Sequence, residues 1–419
     1  MLLLTLLKMD TVNTNTNLYD TDSKLNQMQK ILIFLFSMLT LNGFTQKPFS
    51  EQEAVEAALK NSAALRASGL LIRQNNELLK SAKNFKNPDV VLESPTGLFY
   101  TIAVTQTLDY PTVYKKQSLL QKQQIVLSEK ERVITENDIK FRIKSQYLIL
   151  QYSESLVKLF RVEDSLYAQI SQSSARQFEA GQIDYLAKTF AESQFGEVRN
   201  KLDQSQGDVQ TNIKQLQQLL GIADNITATN IQRNTAPAPI NFEENIFLEN
   251  PTVAVFKQTE VINKNLIELE KAKAMPGLIL GYFNQGLKDT PAYLRFRIGL
   301  SVPLWQGQYK SRIRAAQTGF ELAQERTNAQ KQILSVDLQQ AQGDYQKYKQ
   351  TLDYYETKGL KQSEEIISTA TRLFKAGQND YVSFLRTLND AYTIKQRYIE
   401  ALRNHNQTIL NINYLLGNL

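Results

Sequence analysis

Side chains with a chemistry of their own are scarce in this chain, and their spacing excludes most reactions. His405 is the one histidine, and there is no cysteine. One imidazole without a thiolate cannot assemble a His/Cys metal site within one chain, and no serine nucleophile has a spare histidine as its base. Neither a Gly-x-x-x-x-Gly-Lys phosphate loop nor a Gly-x-Gly-x-x-Gly after a strand occurs. The expectation is a protein that is not an enzyme and holds no cofactor or metal. What does recur is a pair of carboxylates, Asp184 and Asp380, each just beyond an Ala-Gly-Gln turn, and two alternate arginines, Arg295 and Arg297. The first pair suits hydrogen bonding at an exposed turn. The arginines suit the polar face of a strand, where they would bias a wet passage toward one sign of ion or pair across strands.

The turns belong to an internal repeat. Phe178-Glu179-Ala180-Gly181-Gln182-Ile183-Asp184-Tyr185 returns as Phe374-Lys375-Ala376-Gly377-Gln378-Asn379-Asp380-Tyr381. After the same interval each copy reaches Leu-Leu-Gly, at Leu219-Leu220-Gly221 and Leu415-Leu416-Gly417. The flanking residues hold little Gly or Pro, so each glycine marks the turn of a helical hairpin.

With 419 residues, 48 Lys+Arg against 42 Asp+Glu and 42% hydrophobic content, the chain can build a large core. Its net charge of +6 is interspersed along the helical stretches rather than clustered, which excludes a nucleic-acid patch. Met28-Gln29-Lys30, the apolar run Ile31 to Leu41 and the small-residue boundary near Thr45 describe a secretory signal peptide over 28–45. On this reading residues 1–27 are an upstream extension, the repeats occupy 46–224 and 242–419, and the Thr/Asn/Ala/Pro-rich stretch 225–241 links them.

Ser50 with Glu53 reads as a capping box opening a helix that resumes after Asn61 and runs to about Asn84. The second copy has Asn250-Pro251 in place of Asn61-Ser62 and continues to about Ala274. Pro88 and Pro276 then switch the periodicity to two. Val90 to Glu93 is extended, and Phe99 to Leu108 alternates, with Tyr100, Ile102, Val104 and Leu108 on one face. In the second copy Leu278 to Gly286 and Tyr293 to Val302 read as strands, with Leu294, Phe296, Ile298 and Leu300 on one face and Arg295 and Arg297 on the other. Apolar-out, polar-in strands of about ten residues suit a membrane β-barrel wall. Four strands cannot close a barrel, and lipid does not tolerate open edges, so several chains must share it.

From Thr112 to Ala180 neither Gly nor Pro occurs, and Leu120, Leu127, Ile134, Phe141 and Leu148 recur at heptad spacing. An uninterrupted helix of roughly 100 Å is expected. The matching stretch from Tyr309 to Ala376 contains Gly319, Gly343 and Gly359, so it is expected to be less regular.

This order of elements resembles the TolC family of outer-membrane efflux proteins over nearly all of residues 50–419. Glu53-Ala54 to Asn61, the two Ala-Gly turns and Gly299-Leu300-Ser301-Val302-Pro303-Leu304 are its more specific pieces. The resemblance implies a mainly α fold with a small β part, a two-repeat TolC-like protomer whose long coiled-coil hairpins form an α-barrel. Four strands per chain would enter a shared, trimeric, twelve-stranded β-barrel. It implies a passive export channel in the outer membrane, a homotrimer in contact with lipid whose helical part stands in the periplasm. A periplasmic adaptor would dock on the tips Ala180, Gly181, Gln182, Asp184 and Ala376, Gly377, Gln378, Asp380, and an inner-membrane pump would supply energy. The family's acidic gate positions are here Ser383 and Arg386, which leaves Asp380 and Asp390 as the nearby carboxylates. Tyr110-Pro111-Thr112-Val113-Tyr114 and Pro303-Leu304-Trp305 look like branches that serve heavy-metal cation pumps, with drug export as the other cargo class. A secreted or periplasmic structural coiled coil without a channel is the competing expectation.

Overall fold

The computed structural model describes residues 49–94, 101–235, 250–284, 291, 293 and 295–419. The expected signal peptide and upstream extension, and the wall positions Tyr100 and Leu294, lie outside them.

Helix formation begins where the capping box places it. The Ser50 hydroxyl accepts from the Glu53 amide at 3.2 Å, and the Glu53 carboxylate accepts from the Ser50 amide at 2.8 Å. This opens α1 (Glu51–Asn61). Ser62 adopts an extended backbone, ends α1 and caps α2 (Ala63–Ser81) through the Leu65 amide. The helix stops three residues before the Asn84 expected from sequence, because its last carbonyls turn into bonds to Ala82, Lys83 and Asn84.

Strands β1 (Asp89–Glu93) and β2 (Thr101–Leu108) follow, then α3 (Pro111–Glu179), with proline in its first turn where no amide partner is needed. At 69 residues α3 is unbroken, as the lack of Gly and Pro requires, and about 100 Å long. It turns at Gly181 into α4 (Tyr185–Leu220).

The second copy repeats the plan as α5 (Pro251–Lys273), β3 (Gly277–Phe283), β4 (Phe296–Ser301), α6 (Gly307–Tyr354), α7 (Leu360–Lys375) and α8 (Tyr381–Leu416). Both strands are shorter than their alternating patterns suggested, since Tyr293 and Arg295 stand outside β4. Between α6 and α7 a π-helical turn spans Tyr355–Gly359. A Cβ at Gly359 would lie 2.8 Å from the Tyr355 ring, so the turn requires glycine there. Gly319 and Gly343 leave α6 unbroken, because a glycine in a helix interior costs only about 1 kcal/mol.

The two copies interleave. The sheet order is β1-β2-β3-β4, antiparallel throughout, so the first copy's β2 bonds to the second copy's β3. In the helical part α3 packs on α4, α5 and α8, and α6 packs on α5 and α8. The two Leu-Leu-Gly ends close on the starts of the outer helices, with Gly221 and Gly417 both at positive φ. A Cβ at Gly417 would come within 2.3 Å of Pro251, so only glycine permits this approach.

Residues 226–234 form a strap across both copies. Ile226 and Ala228 enter a core with Ala54, Tyr147 and Leu216, and the Tyr147 hydroxyl donates to the Phe49 carbonyl at 2.7 Å. Further on, Ile231 packs with Leu352 and Leu402. The Asn406 amide donates to the Gln232 carbonyl at 2.6 Å and accepts from the Asn234 amide at 3.0 Å.

Candidate functional site

The sheet has two chemically opposed faces. Register places Val90, Val104, Tyr282 and Phe296 in one row, and Gln106, Leu280 and Ile298 in the next-but-one. With Leu92 and Ile102, and with Leu108, Leu278 and Leu300, these rows form one face in which Gln106 is the sole polar residue. The apolar side chains are uncovered: Ile102 is 46% exposed, Phe296 62%, Ile298 66% and Leu300 69%. A water-soluble sheet would have to hide such a face. The expected wall residues Ile102, Val104, Phe296, Ile298 and Leu300 therefore share one surface.

On the opposite face stand Asp89, Thr105, Gly281 and Arg297 in one row. The Arg297 guanidinium lies over the Phe283 ring, 4.0 Å from its centre, and Arg295 donates to the Asn284 carbonyl at 2.6 Å. Thr101 and Ala103 are buried on this side. Arg297 thus stands on the face opposite the apolar one, which also carries Val91, Ile279 and Phe283, and both arginines bond or stack within their own sheet. Among the described residues, strands β1 and β4 each bond to one neighbour only, leaving an open edge at either side of the sheet.

At the far end of the helices the two tips have one backbone. Gly181 and Gly377 take φ of 70° and 72°. The Gln182 amide bonds the Gln177 carbonyl and the Gln378 amide bonds the Leu373 carbonyl, which closes each helix with a left-handed glycine. The two tip carboxylates, both exposed, start the return helices. Asp184 accepts from the Ala187 amide at 2.7 Å. Asp380 accepts from the Ser383 amide at 2.9 Å and from its hydroxyl at 2.7 Å. Those bonds from Ser383 hold the Asp380 carboxyl below its ordinary range. Ser383 is thereby occupied in capping, while Arg386 lies 5.9 Å from the Phe190 ring centre of the other hairpin.

The tips meet along one cleft of about 900 Å³, lined by Gln182 and Asp184 of the first and by Gly377 and Asp380 of the second. They differ in their aromatic residue. Both tyrosines meet the phenylalanine before the turn edge-on, but Tyr381 is buried whereas Tyr185 is 67% exposed beside Leu186 at 66%. Sequence gave no sign of this, because the Phe-x-Ala-Gly-Gln-x-Asp-Tyr motif is common to both.

Two further groups escaped the sequence reading. Glu163 of α3 is buried, with Lys201, Tyr167 and Tyr392 around it, and burial pushes its carboxyl up to about 7. It occupies the position, counted back from the tip glycine, that Gly359 occupies in the second copy. Arg233 of the strap pairs with Asp353 at 2.8 Å and with Glu356, inside the π-helical turn, at 2.5 Å. His405 is buried in α8 with its ring 5.6 Å from that of Tyr345, and burial lowers its pKa. Among the described residues no cluster of His, Cys, Asp and Glu could hold a metal ion. No helix among them is long and apolar enough to cross a membrane.

Residues 265–418 match the family described as outer membrane efflux protein. No curated protein matches the chain. Among solved structures, CusC, whose study concerns folding and transmembrane channel formation, superposes with a TM-score of 0.74 at 15% identity, over 88% of this chain and 92% of its own. The CmeC outer membrane channel of Campylobacter jejuni gives 0.73 at 13% identity over 88% and 85%, and the outer membrane protein VceC of Vibrio cholerae gives 0.72 at 13% over 88% and 96%. At such identities the likeness is one of fold, and that fold covers both copies.

Proposed function

We infer that this chain is an outer-membrane efflux protein of the TolC family, one protomer of a trimeric channel that carries small solutes out of the cell. The observation that carries this reading is the four-stranded sheet, with one face exposed and almost wholly apolar, the other bearing Asp89, Thr105 and Arg297, and both edges open among the described residues. In lipid an open edge leaves amides and carbonyls without partners, at several kcal/mol each. Three copies supply twelve strands and a closed wall. A secreted coiled coil without a channel is not favoured, since it would leave that apolar face in water.

Below the wall, the two hairpins, α3 with α4 and α6 and α7 with α8, continue the passage through the periplasm as a helical tunnel. The tips are where a periplasmic adaptor docks, joining the channel to an inner-membrane pump. Asp184 and Asp380 set the tip backbone by capping and stay exposed, so they stand with Gln182, Gln378 and the exposed Tyr185 and Leu186 as the groups an adaptor can touch. Cargo, a heavy-metal cation or a drug, crosses as a solute and needs no ligand from the wall.

Conductance tests the reading. Purified protein inserted into planar bilayers is expected to give discrete, ion-conducting steps. Stable incorporation without conductance would contradict a channel.

A further inference from the structure

Positive charge collects where the strands meet the helices. Four stretches border the sheet there: 77–88 and 266–276 lead into β1 and β3, and 109–128 and 302–320 follow β2 and β4. They hold eleven Lys and Arg against four Asp and Glu, an excess of seven where that of the whole chain is six. In sequence these cations are scattered, and the fold gathers them. Lys86 reaches Asp109 at 3.3 Å, Lys116 reaches Glu268 at 3.4 Å, and the Phe85 ring meets that of Tyr114 edge-on. All four acids are engaged, by Lys80, Lys86, Lys116, Lys271 and Lys273. Lys83, Lys115, Lys122, Lys310, Arg312 and Arg314 remain, exposed and without a carboxylate partner among the described residues. α3 and α6 also begin here, which adds the positive ends of two helix dipoles.

Beside these cations the exposed apolar face of the sheet runs on past its last strand residues. Val302 and Leu304 continue the alternation of Ile298 and Leu300, and Trp305 follows; Leu304 is 73% exposed and Trp305 83%. Tyr110 after β2 and Phe85 before β1 are exposed at the same level of the sheet. An apolar band that ends in aromatic rings and then in unpaired cations has the profile of a lipid boundary, with rings at headgroup level and cations among the phosphates. A neighbouring copy brings the same excess of charge, so it cannot neutralise this one. We propose that this collar binds anionic phospholipid headgroups, of the phosphatidylglycerol kind, in the leaflet that faces the periplasm. On α6, Lys310 and Arg314 stand about 40° apart at 100° per residue and point away from buried Ala316. The first acids of that helix, Glu321 and Glu325, come about two turns or more further from the sheet. Lys310 and Arg314 therefore meet the phosphates, while Leu304 and Trp305 sit at the edge of the acyl chains. This proposal rests on the outer-membrane channel reading and adds a lipid preference to it.

Trp305 is the one tryptophan of the chain, so its fluorescence reports this boundary alone. The purified full chain is reconstituted into phosphatidylcholine vesicles that carry, at equal mole fraction, acyl-chain-brominated phosphatidylcholine or acyl-chain-brominated phosphatidylglycerol. Quenching of the emission by bromine is then compared. Both lipids are expected to quench, phosphatidylglycerol by about twofold more, and the excess is expected to vanish in the double variant Lys310→Gln/Arg314→Gln. Equal quenching by the two lipids would overturn the proposal and leave the channel reading standing. So would a phosphatidylglycerol excess that survives both that variant and Lys83→Gln/Lys115→Gln. No quenching by either lipid, in protein that runs as a trimer unheated, would also overturn it, because Trp305 would then lie away from lipid. Protein that fails to enter the vesicles would bring down the channel reading and this proposal with it.

Discussion

The Asn250 amide donates to the Leu415 carbonyl at 2.6 Å, and Asn61 makes the same bond to Leu220 at 2.8 Å in the other copy. Each Leu-Leu-Gly end is thus clasped by an asparagine of the same copy's outer helical segment: Asn61 at the end of α1, Asn250 at the start of α5. Asn250 also accepts from the Val253 amide at 2.9 Å, capping α5. It ties the end of the chain's second copy to its beginning.

Asn250→Ala is therefore expected to cost about 2 kcal/mol or more, from a lost cap and a buried carbonyl left unpaired. Asn61→Ala, which caps nothing, is expected to cost less. Thermal loss of helical circular dichroism in detergent checks the order, and equal midpoints for the two variants would contradict it.

Glu163 makes stability depend on pH. Its folded-state pKa, raised by burial to about 7, means the fold favours the neutral acid. The contribution is complete below the ordinary carboxylate range and is lost as pH rises through about 7. Melting curves from pH 5 to 8 are expected to show falling stability in the parent and a flatter profile in Glu163→Gln, which becomes the more stable above pH 7. Parallel profiles would refute this.

Arg233 is expected to hold the strap to the π-helical turn. Because the pair is partly exposed, Arg233→Ala is expected to cost only about 1 kcal/mol globally, with a larger effect on local opening. Hydrogen exchange measured at Tyr355–Gly359 and in 226–234 checks it: faster exchange in both segments supports the clasp, and no change in either argues against it.

The tip prediction separates assembly from docking. Leu186→Glu is expected to leave the trimer intact and abolish efflux in cells with a cognate adaptor and pump, since Leu186 is 66% exposed and supports no core. Full efflux by this variant would remove the first tip from the docking surface.

Much of this architecture was legible before any coordinates, for identifiable reasons. The repeat, the unbroken run from Thr112 to Ala180 and the alternation across Ile102 and Ile298 are local signals, and the helices and strands follow them. Gly359 could not be told from Gly319 and Gly343 by sequence, because what matters is that Tyr355 packs where its Cβ would be. That the tip carboxylates also cap the return helices, through bonds from Ala187 and Ser383, was not read from the sequence. Glu163 looked like one more charge on a solvated helix. Its burial depends on α4 and α8 closing over it, as Arg233 depends on Asp353 and Glu356, and such long-range contacts leave no local pattern.

Inside and outside of the wall can be distinguished by charge. Ile298→Arg is expected to cost about 2 to 4 kcal/mol near the membrane midplane and to deplete assembled protein, whereas Thr105→Arg on the opposite face is expected to assemble normally. Reversed outcomes would turn the sheet inside out.

The most direct test of the central claim is to fractionate membranes from expressing cells and run the detergent-extracted protein on a denaturing gel, unheated and heated. The account predicts outer-membrane protein that migrates as a trimer unheated and as a single chain of 47.9 kDa, or its processed form, after heating. A monomer in the soluble fraction, with no heat-sensitive species, would contradict it.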